Sequence, residues 1–188
     1  MLLKDIIKET ATLLKLDNVL NLAELGGNLQ DEQATKDLDL LKKCVNLTIN
    51  EIASDYVPFH YIEQVLVSDS KIPYTALNKT ALRIKSVKND KGKDCCFKVY
   101  PSYIYTDCTG ICRIEYCYIP VPTEDLDEAI ENDPKITTRL IAYGTAREYC
   151  LIMSMYEEAQ SYDSRYKDSL QNAVRQNTVL KIPKRLWR

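Results

Sequence analysis

Seven cysteines and a single histidine carry most of the chemistry this chain has to offer. The cysteines stand at 44, 95, 96, 108, 112, 117 and 150, and the histidine is His60. Thiolates and imidazole ligate zinc, and a thiol beside an imidazole makes a nucleophile. The densest set is Cys95, Cys96, Cys108 and Cys112. Its Cys-Cys and Cys-x3-Cys spacings depart from the Cys-x2-Cys knuckle of zinc sites, and nothing in the spacing brings a cysteine to His60. The N-terminal "MLLKDIIKETATLLKL" is too interrupted by charge for a secretory signal. A cytosolic chain is therefore expected, with buried thiols in place of a disulfide framework. The acidic runs Glu124-Asp125-x-Asp127-Glu128 and Glu157-Glu158 lack the alternation and central glycine of a calcium loop, and read as solvated helix starts. There is no Gly-x-Ser-x-Gly, phosphate loop, dinucleotide fingerprint or His-Glu-x-x-His. The expectation is no catalytic residue, no resident metal, no cofactor and no enzyme.

The elements that would position these residues follow from periodicity. At 188 residues, 45% hydrophobic and 28% charged, the chain is globular in composition. No apolar run approaches the roughly 20 residues that span a bilayer, so no membrane partner is expected. Leu3, Ile6, Ile7, Leu13 and Leu14 predict an amphipathic helix over 2–16. A short helix over 19–25 runs into Gly26-Gly27-Asn28. Leu38, Leu41, Val45, Ile49 and Ile52 predict one long helix over 31–56, started by Asp31-Glu32 and ended by Pro58. From Phe59 to Pro122 the texture is short, alternating and β-branched, with turns at "SDSK", "NDKG" and "DCTG". Along "ICRIEYCYI", Arg113, Glu115 and Cys117 point one way and Cys112, Ile114, Tyr116 and Tyr118 the other. An antiparallel sheet or small sandwich is expected. Beyond Pro134, set in a first turn capped by Asp133, a helix of roughly 35 to 40 residues is expected. Its buried face would hold Ile136, Leu140, Gly144, Leu151 and Met155, then Tyr162, Tyr166, Leu170 and Ala173, with a break near Ser161. The fold class is α+β. Residues 1–58 and 123–175 form a helical bundle, 59–122 an inserted β domain, and 176–188 an extended arm.

Two features suggest partners. Arg147 falls on the face that looks buried, where a charge must be paired. Glu148 points about 100° away around the helix, so the expected partner is Glu51 or Asp55, or else a neighbouring subunit. The C-terminal "LKIPKRLWR" joins apolar Ile182, Leu186 and Trp187 with basic Lys184, Arg185 and Arg188, and Pro183 keeps it from continuing a helix. Residues 171–188 hold 5 basic and no acidic side chains, against 5 basic and 11 acidic over 121–170. Such segregation in a chain of net charge −2 favours self-complementary assembly.

Three stretches together resemble the head–tail connector proteins of tailed bacteriophages, specifically the adaptor, or head-completion, ring. They are "DLDLLKKCVNLTINEIASDYVP", "ITTRLIAYGTAREYCLIMSMYEEAQSYDSRYKDSLQNA" and the terminal "IPKRLWR". The second carries an "AYG-A-EYCL" core followed by an acidic-aromatic "YEEA--YD-RYKD-L", and the third a "P-R-W" ending. The resemblance implies a ring, commonly of twelve copies, below the portal protein in the virion neck, assembled in the bacterial cytoplasm. It implies helices packed around a channel that double-stranded DNA traverses. It also implies a β section facing a downstream tail or stopper protein, and a C-terminal arm, Ile182 to Arg188, reaching the portal. The cysteine-rich sheet departs from the pattern. Two other readings stand beside this one. One is the stopper, or head-closure, ring below the adaptor. The other is a nucleic-acid module using Lys85, Lys88, Lys91, Lys93 and Lys98 with Tyr100, Tyr103 and Tyr105.

Overall fold

The computed structural model describes residues 1–25 and 31–175. The Gly26-Gly27-Asn28 turn and the arm of Ile182, Pro183, Lys184, Arg185, Leu186, Trp187 and Arg188 lie outside the described residues. Among those described, five helices and two three-stranded antiparallel sheets make an α+β fold. The chain divides into two compact units, Met1–Thr48 with the described residues from Thr123 on, and Ile49–Pro122.

The first unit is helical. Helix α1 (Leu3–Leu14) buries Leu3, Ile6, Ile7, Thr10 and Ala11, and α2 (Asp17–Leu25) follows it after a left-handed Lys15. Helix α3 (Glu32–Glu51) begins at Asp31, whose carboxylate accepts from the Gln33 and Ala34 amides at 3.1 Å, as an N-cap should. Its stripe Leu38, Leu41, Val45 is buried as the spacing predicts. The helix stops short of Tyr56, however. A single π-helical turn, Ile52–Tyr56, takes over, closed by the Val57 amide on the Ile52 carbonyl at 2.8 Å.

The expected long C-terminal helix is two helices, α4 (Thr138–Ile152) and α5 (Tyr156–Arg175), packed as a hairpin. The break falls at Met153–Met155, ahead of Ser161. It is a Schellman closure: the Met155 amide bonds the Cys150 carbonyl at 2.8 Å and the Ser154 amide bonds Leu151 at 3.2 Å. Ser154 takes the left-handed position, φ 61°, that glycine usually fills. Leu151 and Met155 are consequently exposed, and only the Ile136, Leu140, Gly144 part of the expected face before the turn is buried. On α5, Ala159, Tyr166, Leu170 and Ala173 are buried. Thr137, and neither Asp133 nor Pro134, caps α4, accepting from the Leu140 amide at 3.2 Å. Asp133 closes a local turn on the Lys135 amide instead.

The acidic segment 123–133 forms no helix, contrary to its reading as a helix start. It lies as a strap along the start of α1. The amides of Leu3 and Lys4 donate to the carbonyls of Glu128 (3.2 Å) and Leu126 (2.9 Å), and the Ile130 amide to Met1 (2.9 Å). Backbone carbonyls thus satisfy amides that have no partner inside α1.

The second unit holds the sheets. One has the order β1 (Phe59–Val67), β6 (Gly110–Tyr118), β3 (Ala81–Asn89); the other β2 (Lys71–Pro73), β5 (Tyr103–Thr106), β4 (Phe97–Val99). Along β6, Cys112, Ile114, Tyr116 and Tyr118 face inward as the alternation predicts, and Cys117 is buried as well. Tyr116 donates to Glu63 at 2.5 Å and accepts from the Lys79 amide at 3.2 Å. Turns form at "SDSK" and "NDKG", where Asp69 and Ser70 (both φ 57°) and Gly92 (φ 76°) supply left-handed residues. "DCTG" is instead an extended link with a bend at Asp107, and its Gly110 (φ 88°) opens β6. Cys95 and Cys108 form a disulfide across 13 residues, correcting the expectation that every cysteine is a thiol. The reason is topological: it joins the loop after β3 to the loop after β5, a non-local approach that spacing does not reveal.

Candidate functional site

The α4–α5 turn is where the helical unit offers most to a partner. Leu151, Ile152, Met153, Met155 and Tyr156 are all exposed, Ile152 by 51% and Tyr156 by 67%. They fill five of six consecutive positions, interrupted by Ser154. The cause is local: once α4 closes at Ile152, the side chains on either side of the Schellman turn project past the last buried layer, Tyr149 and Cys150. Glu157 and Glu158 follow in the first turn of α5, where the helix dipole favours them.

A polar cluster further along the hairpin joins its two helices. Arg147, 13% exposed, places Nη2 2.6 Å from Glu148 Oε1 and Nη1 3.5 Å from Asp163 Oδ1. Its guanidinium lies 4.6 Å from the Tyr166 ring centroid. Asp163 also binds Lys167 at 2.5 Å. Arg147 therefore staples α4 to α5 through partners in its own unit. The long side chain bends back to the adjacent Glu148, which a count of helix angles alone does not foresee. Glu51 and Asp55 belong to the other unit.

Tyrosine hydroxyls fasten further seams. Tyr149 donates to Asp37 of α3 at 3.2 Å, and Tyr162 to the Leu13 carbonyl of α1 at 2.7 Å. Burial, reinforced by the Asp37 carboxylate, pushes Tyr149 up to about 12. Burial raises Tyr162 and Tyr116 as well, and it pushes the Cys44 thiol up to about 12. A raised folded-state value means the folded protein holds its proton longer than the unfolded chain. Stability is thus complete below the unfolded values, about 8.5 for thiols and 10 for phenols, and is lost as pH rises from there toward 12. Urea midpoints should fall steadily from pH 8 to pH 11, and less steeply in Tyr149→Phe. A midpoint flat over that range contradicts these assignments.

The β unit presents a smaller surface. Lys71, Tyr105 and Lys98 stand in register across β2, β5 and β4, all exposed. Tyr100 and Tyr103 stack on each other at 5.0 Å, with Lys71 5.2 Å from the Tyr103 ring. Lys85 and Lys88 lie on β3 in the other sheet, and Lys88 reaches Asp94 at 3.7 Å. Lys91 and Lys93 lie in the turn after it. The proposed basic-aromatic set is thus divided between two sheets and a turn, while Lys71, absent from it, belongs to the best-formed row. His60 sits within β1, 3.7 Å from Glu115. A cleft of about 530 Å³ is bounded by Tyr74, Leu77, Asn78, Lys79 and Pro101, among others, and its walls carry no carboxylate, thiol or imidazole.

Of the four cysteines considered together from sequence, only Cys95 and Cys108 meet, with Asp107 beside them. Cys112 is buried in β6 and Cys96 is exposed. No protein-family model matches the chain, and no curated protein matches it.

Proposed function

We propose that this chain is a structural ring component of a tailed-bacteriophage neck, the adaptor that joins the portal to the tail and lines the DNA channel. The observation that carries the reading is the apolar α4–α5 turn, with five large side chains kept in water by a chain standing alone. Contiguous exposed apolar surface of this kind marks a protein contact. The contacts of Arg147 with Asp163 and Tyr166 join α4 to α5 and so help set the hairpin that presents this turn to a repeating neighbour. Charge is consistent with a channel wall. At a net −2 the chain has little surplus to neutralise phosphates, so DNA can slide. The β unit would meet the next tail component, and the arm from Ile182 to Arg188 the portal.

The test is electron microscopy of the chain mixed with portal protein. A twelve-fold ring seated on portal is the expected image, and deletion of residues 180–188 should abolish seating while leaving the fold unchanged. A chain that stays monomeric and never joins portal overturns the proposal. A six-fold ring seated below an adaptor assigns the stopper role instead.

A further inference from the structure

The loops after β3 and β5 bring together three groups able to hold a metal. One ligand atom from each of Cys95, Asp107 and Cys108, two cysteine sulfurs and a carboxylate oxygen, lies within 4.8 Å of the others. The sulfurs are joined as a disulfide. We propose that the disulfide is one of two states of this place, and that in the reduced chain Cys95, Cys108 and Asp107 bind a thiophilic divalent cation, zinc above all. The inference does not rest on the ring reading.

The geometry survives reduction because backbone bonds hold the two loops. The Cys95 amide donates to Val87 at 2.8 Å, fixing that loop to β3. The Asp107 amide and the Thr106 hydroxyl both donate to the Cys96 carbonyl, each at 3.2 Å. The Thr106 amide donates to Ser70 at 2.9 Å. With the sulfur–sulfur bond cut, the two cysteines therefore remain neighbours at a Cα separation of 6.0 Å. Two thiolates at a zinc–sulfur distance of about 2.3 Å in a tetrahedron stand about 3.8 Å apart, a gap opened by side-chain rotation alone. Asp107 supplies a third, charged ligand. It is exposed, so water has access to complete the shell.

The other thiols compete poorly. Burial raises Cys44, Cys112 and Cys150, disfavouring the thiolate that a metal needs. Cys117 is buried in its sheet. Cys96 is exposed but its sulfur is not part of the cluster.

The two states exchange in balanced steps. Two thiols of a reductant supply two electrons and two protons; the Cys95–Cys108 bond breaks to two thiols, and the reductant becomes a disulfide. Entry of the cation then releases the two thiol protons. In reoxidation the two thiolates pass two electrons to a small-molecule disulfide, which takes two protons from water and leaves as two thiols, while the Cys95–Cys108 bond reforms and the cation is released.

The experiment uses the full chain. It is reduced with a water-soluble phosphine, which takes oxygen from water as it is oxidised, and then desalted without air. Zinc is titrated against a chromogenic chelator, and cobalt(II) is added in parallel to read thiolate ligation by its sulfur-to-metal absorption. One zinc per reduced chain and none in the oxidised chain is expected. Cys95→Ser or Cys108→Ser should weaken binding more than about 100-fold, beyond the loss of an outer-shell partner, and exposed Asp107→Asn about 10-fold. Cys96→Ser should bind as the parent does. Equal zinc in the reduced parent and in the Cys95→Ser, Cys108→Ser double variant overturns the proposal. So does a reduced, folded chain whose cobalt form shows no thiolate band.

Discussion

Gly144→Ala should destabilise the helical unit by about 2 kcal/mol, although alanine is the better helix former by about 1 kcal/mol. The sign turns on what the added methyl meets. It would overlap the Thr48 methyl of α3 and lie 2.9 Å from Cε2 and 3.1 Å from Cδ2 of the Tyr166 ring on α5. Neither neighbour yields easily. The Thr48 hydroxyl donates to the Cys44 carbonyl at 2.9 Å, so rotating the methyl aside costs that bond. Tyr166 is buried and lies under the Arg147 guanidinium. Overpacking of this kind costs about 1–3 kcal/mol and sometimes more, which exceeds the propensity gain. Urea melts of four proteins, the parent, Gly144→Ala, Thr48→Ser and the double variant, isolate the contact. Thr48→Ser keeps the hydroxyl and removes the methyl, so the double variant should recover much of the loss as a coupling energy. A Gly144→Ala chain more stable than the parent would mean that α3, α4 and α5 do not approach as described.

If the α4–α5 turn is the contact of the proposed ring, Leu151→Gln with Ile152→Gln should leave the monomer intact and abolish assembly on portal. Both side chains are exposed, so the change in folding stability should stay within about 0.5 kcal/mol. In an assembled ring each would lose the roughly 1.5–3 kcal/mol that a large aliphatic side chain gains on full burial. Together they correspond to at least about a hundredfold in contact affinity, repeated at every neighbour around the ring. Melting curves and negative-stain images of the same preparations separate the two effects. Rings that form as well as the parent's would remove the turn from the contact. Lowered melting would show that its side chains serve the fold of the monomer.

Much of this architecture was legible in the sequence because it is periodic. The stripe through Leu38, Leu41 and Val45, the alternation along β6 and the cap at Asp31 each follow from local rules, and the structure shows them. The α4–α5 hairpin was not legible at the right residue. No glycine or proline marks it; Ser154 takes the left-handed position, and apolar residues run through the break without interruption. The clue was of another kind, a run of large apolar side chains too dense for one helical stripe, and it is the same run that forms the candidate surface. The meeting of Cys95, Asp107 and Cys108 was illegible for a different reason. It depends on which strands pair, and a ligand set assembled from two loops leaves no fixed spacing. Arg147, expected from its place on the helix to need a charged partner, has Glu148 and Asp163 beside it within its own unit.

The strap across α1 gives synthesis an order. Leu3 and Lys4 complete their bonds only with carbonyls at 128 and 126, and α1 packs against α4, which begins at Thr138. By contrast, the β1, β3 and β6 pairings are complete once Tyr118 has been made. At about 5–20 residues per second, α1 waits on the order of ten seconds on the ribosome for its partners. Through that interval the part of its apolar face that meets α4 lacks that cover, with α2 its packing partner in the meantime, and closing so long a loop adds its own entropic cost. Helix α1 is thus among the last elements of its unit to be locked in place, although it precedes the others in the chain.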